Sequence, residues 1–115
     1  MQQSMTDLPI IQHLTLLSEQ IAPALARIPK QQRYTLGAGT WQALDALVAS
    51  TFCALATPTD TALRTDASVH FDRLKWYLRL LVQQRAVSPG WYAARIPDLV
   101  TVGKMLGGMR RAGQR

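Results

Sequence analysis

The chain has 115 residues, 48% of them hydrophobic and 17% charged, with 13 Lys and Arg against seven Asp and Glu for a net charge of +6. That is the length of one domain with enough apolar sequence for a core, and no apolar run is long enough for a membrane span. Cys53, the single cysteine, excludes an internal disulfide and a thiolate zinc cluster. So few charges on so apolar a chain point to apolar surface that a partner or another copy covers. The N-terminus has no basic stretch ahead of an apolar segment, so a cytoplasmic protein is expected.

The first periodic segment places Ile10, Leu14, Leu17, Ile21, Leu25 and Ile28 at spacings of three and four, one face of a helix. It predicts a helix over about 7–27, capped by Asp7, with Pro9 tolerated in its first turn and Pro23 bending or loosening its end. Pro29 breaks the pattern. The second segment, over about 31–56, sets Leu36, Thr40, Trp41, Leu44, Leu47, Val48, Thr51, Phe52 and Leu55 on one side. Its opposite flank carries Ala38, Ala43, Ala46, Ala49 and Cys53, small enough for another helix to approach closely.

Thr57-Pro58-Thr59-Asp60 reads as a turn, with Asp60 capping a third helix over about 61–84. Leu63, Ala67, His70, Phe71, Leu74, Tyr77, Leu78 and Leu81 form its core face. A second stripe, Val69, Arg73, Trp76 and Leu80, lies far round from the first, and a helix apolar on two sides is buried on two sides. In a four-helix domain that second side is expected to meet another subunit. Ser88 and Pro89 open a fourth helix over about 89–106, with Tyr92, Ile96, Leu99, Val102, Gly103 and Leu106 facing inward and Pro97 kinking it. Gly107 and Gly108 are expected to end it, leaving a basic tail over 107–115. No segment alternates with period two. The reading is a single all-α domain, an up-down-up-down four-helix bundle.

Catalytic signals are sparse. The acids are scattered singly, and His13 and His70 stand apart with no Glu-x-x-His spacing. His70 reads as a packed, hydrogen-bonded histidine. Neither Gly37-Ala38-Gly39 nor the glycines of 103–108 have the order of a phosphate-binding loop. No catalytic residue, metal or cofactor is therefore expected, and the chain is read as non-enzymatic. The cations carry more. Ten of the 13 are Arg, whose fork matches phosphate. Up-down counting puts the end of helix 1, the start of helix 2, the end of helix 3 and the start of helix 4 together. Arg27, Lys30, Arg33, Arg79 and Arg85 should then share one basic end, with Arg64 toward the other.

Four segments resemble, in order, those of the four-helix-bundle Avd family, the accessory variability determinants of diversity-generating retroelements. They are "IPKQQRYTLG" at 28–37, "LKWYLRLL" at 74–81, "VSPGWY" at 87–92 and "VGKMLGGMRR" at 102–111. Ile28 stands where the family's segment has Phe, and Met109 where an aromatic often follows the two glycines. The resemblance implies a homo-oligomer, a pentamer, that binds the retroelement's reverse transcriptase and template RNA and supports mutagenic cDNA synthesis. Lys30 and Arg33 would then face phosphate or the transcriptase, and Val69, Arg73, Trp76 and Leu80 a neighbouring subunit. The ribosomal-RNA intervening-sequence proteins share the bundle and part of the motif, and imply the alternative, a stand-alone RNA-binding bundle.

Overall fold

The computed structural model describes residues 4–113, which are helical without a strand and form an all-α four-helix bundle, as the periodicities predict. Helix α1 is Pro9–Arg27. Helix α2 covers 30–56 and is built from a first turn Lys30–Gln32, a widened π turn Arg33–Gly37 and a regular stretch Ala38–Ala56. Helices α3 and α4 are Thr61–Gln83 and Pro89–Gly113.

Each start has a local cause. Leu8, and not Asp7, takes the N-cap position of α1, because the residue before a proline is driven out of the helical region and Leu8 sits at φ −67°, ψ 140°. Asp7 belongs to a short 3-10 turn, Met5–Asp7. Asp60 caps α3 as expected, its carboxylate accepting from the Ala62 N–H at 3.0 Å, and the Ser88 hydroxyl accepts from the Trp91 N–H at 3.0 Å. Pro23 and Pro97 both lie inside continuous helix.

The core is one cluster that takes Leu14, Leu17 and Ile21 from α1, Leu44 and Leu47 from α2, Leu74, Leu78 and Leu81 from α3, and Leu99, Val102 and Leu106 from α4. The closest pairing is α2 with α3. It is close because Gly39 carries no side chain: a Cβ there would stand 2.4 Å from Cε1 of Tyr77. Ala43 and Ala54 continue the small seam, both buried. The buried hydroxyls of Thr40 and Thr51 donate to the carbonyls of Leu36 and Leu47, at 2.6 and 2.8 Å, so neither enters the core unpaired.

Three expectations fail here. Trp41, expected on the buried face of α2, is 47% exposed. The buried face is centred on Thr40, Leu47 and Thr51, and at about 100° per residue Trp41 falls at its margin. Ala43, by contrast, lies on the flank whose small residues are expected to let another helix approach, and it is buried. Ile96, expected to face inward, is 38% exposed. Finally, Gly107 and Gly108 do not stop α4, which runs on through 107–113 rather than leaving a tail. No described glycine adopts a positive φ, and beyond the pair Met109 still packs on the core, while the Arg111 guanidinium lies over Gly107.

The seat of Tyr77 on Gly39 makes a directional prediction. Gly39→Ala gains about 1 kcal/mol of helix propensity but forces Tyr77 out of its place, at a cost of about 1–3 kcal/mol. Chemical denaturation should show a net loss in the native background and a net gain when Tyr77 is Ala. Equal effects in both backgrounds would deny the contact.

Candidate nucleic-acid interface

The basic end is built by two turns. In the first, Ile28 is 1% exposed and ends α1, and Pro29 opens α2 in an extended conformation. The Ile28 side chain lies over Gly37, where a Cβ would come 3.0 Å from Cδ1. The Arg33 side chain folds back, its Nε–H donating to the Ile28 carbonyl at 3.0 Å. It thereby satisfies one of the carbonyls that a helix end leaves free. The π turn is closed by the Ala38 N–H bonding the Arg33 carbonyl, five residues back. Such turns concentrate at functional sites.

The second turn ends α3. The Ala86 N–H bonds the Leu81 carbonyl at 2.8 Å and the Arg85 N–H the Val82 carbonyl at 3.0 Å. These are the two bonds of a Schellman motif, and Arg85 holds its left-handed position with φ 59°. That position normally belongs to glycine. Gln32 ties the two turns together, its side-chain amide donating to the Gln84 carbonyl at 3.3 Å. Arg27 lines a groove of about 310 Å³ with Ala86, Val87, Ser88 and Trp91 of the second turn.

The structure therefore brings Arg27, Lys30, Arg33 and Arg85 to one end, as the topology predicts. Arg79 lies between that end and the middle of α3, in a concavity with Asp72, Lys75, Trp76 and Tyr92. Residues 20–44 and 73–97, which make up the half of the bundle around these turns, contain eight cations and no acid. All seven acids and the other five cations fall outside those two stretches. A charge of +6 spread evenly would mean little, but here the field is concentrated on one half.

Helix stability does not account for all of these positions. Arg27 suits the negative end of the α1 dipole and Arg33 bonds the Ile28 carbonyl there, but Lys30 stands at the positive end of α2, where a cation costs about 0.3–1 kcal/mol at low ionic strength. Arg85 bears a left-handed backbone that costs an L-residue roughly 1–2 kcal/mol.

The second stripe of α3 faces outward: Val69 is 51% and Trp76 59% exposed, Arg73 is exposed and Leu80 half-buried. His70 is half-buried, and Arg73 donates to its Nδ1 at 2.9 Å. Among the described residues no group of three or more His, Cys, Asp or Glu is placed to hold a metal, and no helix is long and apolar enough to cross a membrane. Sequence reasoning missed the Gln32–Gln84 link, the π turn and the exposure of Trp41. Only the glycine pair at 37 and 39 hinted at close approach there. No family model matches the chain, and neither does any curated protein or solved structure.

Arg85 offers a test of the turn. Arg85→Gly should be more stable than Arg85→Ala by about 1 kcal/mol, because only glycine relieves the left-handed backbone. Urea midpoints decide it, and equal midpoints would contradict the assignment.

Proposed function

We propose that the protein is a non-enzymatic, RNA-binding four-helix bundle that serves a reverse transcriptase as an accessory subunit in a diversity-generating retroelement. The observation that carries the RNA-binding part is the basic end, built from two stretches without an acid, where Lys30 and Arg85 occupy positions that are locally unfavourable for them. Cations kept against local cost are the kind of outlier from which a function is inferred. The reverse-transcriptase part is supported by the resemblance of segments 28–37, 74–81, 87–92 and 102–111 to the Avd family. Two of these, 28–37 and 87–92, begin at or beside the two turns that Gln32 and Gln84 tie together. Self-association through Val69, Arg73, Trp76 and Leu80 belongs to the same proposal. The exposure of Val69 and Trp76 supports it, and the pentamer comes from the resemblance.

Phosphate contacts release counterions, so RNA affinity should fall as salt rises. Removing Lys30, Arg79 or Arg85 should flatten the slope of log K against log salt by about 0.7–0.9 each, similarly for unrelated RNA sequences. Arg64→Ala should leave the slope unchanged. Capture of the transcriptase and the solution mass, a multiple of 12.8 kDa, are read on the same samples. Unchanged slopes in all three variants would reduce the basic end to a solvated surface.

A further inference from the structure

Beside the first turn, α1 and α2 leave a groove of about 370 Å³ lined by Ala22, Leu25, Ala26, Gly37, Ala38, Trp41 and Arg33. Its walls are small and apolar. Trp41 is its one aromatic and Arg33 its one charge. Trp41 is 47% exposed, whereas Trp91 and Tyr92 are half-buried against the core cluster. About half of a large flat ring is thus left open at the groove. Arg33 is anchored through Nε to the Ile28 carbonyl at 3.0 Å. Its guanidinium plane is thus fixed at the groove while its two terminal nitrogens remain to donate.

We propose that this groove receives one unstacked base of a single-stranded RNA, its face against Trp41 and an adjoining phosphate on Arg33. The inference rests on the RNA-binding reading above and deepens it to the class of RNA. Three features favour that occupant. A fixed guanidinium beside an open indole matches the alternation of phosphate and flat base along a strand. No acid occurs in residues 20–44, so a chain of negative charge can continue past Arg33 toward Arg27 and Lys30 without repulsion. And the groove is a single seat between alanines, whereas a partner helix needs a row of anchors over successive turns. A duplex keeps its bases stacked and cannot offer one to Trp41.

The test compares a short mixed-sequence RNA with the perfect duplex of the same strand, by fluorescence anisotropy at one salt concentration. Trp41→Ala should weaken the single strand about tenfold and leave the duplex unchanged. Trp41→Phe, which keeps a stacking face, should recover most of the loss. Ultraviolet crosslinking of the single strand to the unaltered protein should map to Trp41, a readout independent of how the variants fold. Equal losses for both RNAs, no loss for either, crosslinks elsewhere, or a changed solution mass in Trp41→Ala would each overturn the inference. The last outcome would mean that a second copy covers the groove. Loss of a leucine- and glutamate-rich peptide with both RNAs retained would assign it to an acidic protein partner instead. If Lys30→Ala and Arg79→Ala lose RNA while Trp41→Ala does not, only this inference fails. If the unaltered protein binds no RNA, the proposed function fails with it.

Discussion

The packing of the Ile28 side chain over Gly37 is the contact on which the rest depends. Ile28 is the last buried residue before Pro29, and Gly37 is the point in α2 where a side chain would push it away. Seating one on the other turns the chain back within a few residues and sets α2 against the bundle. The widened turn at Arg33–Gly37 absorbs the geometry, and Arg33 caps the end of α1 from across the turn. From that point Gly39 falls under Tyr77, which fixes α3 close to α2, and Gln32 reaches the carbonyl of Gln84. The meeting of the two turns, and with it the basic end, follows from the packing of a single isoleucine.

Charge and shape then reinforce one another. Scattered along the chain, the cations are unremarkable in number. Folded, eight of them occupy a half-bundle whose own stretches hold no acid, Lys75 alone pairing with Asp72 at its edge, at 3.3 Å, and two, Lys30 and Arg85, stand where local helix physics disfavours them. Consistency between local preference and global fold is the usual state of a sequence, and departures concentrate at functional places. The same end holds an apolar groove with an open indole, so one surface carries both charge and a flat face.

How far the sequence could be read depended on side-chain size. The buried faces of α1 and α3 were legible because large residues such as Leu14, Ile21, Leu74 and Leu81 sit at their centres. On α2 the same method misled. It put Trp41 on the buried face with Val48 and Phe52, which do pack on the core, whereas Trp41 is exposed and the close approach of α3 is made over Gly39. The shared end of the turns followed from counting helices, and it placed Arg27, Lys30, Arg33 and Arg85 correctly. The π turn, the Schellman turn at Arg85 and the Gln32–Gln84 bond are backbone events without a hydrophobic signature. The glycine pair at 107 and 108 was read as a stop because glycine is common there, yet packing of Leu106 and Met109 carries the helix past it.

The account's central claim is that the paired turns, and no other surface, meet RNA. Amide hydrogen exchange of the full chain with and without a short single-stranded RNA tests this most directly. The account predicts added protection over 27–41 and 79–91 and none over 57–66 at the opposite end. Protection centred on 57–66, or spread evenly over all four helices, would contradict it.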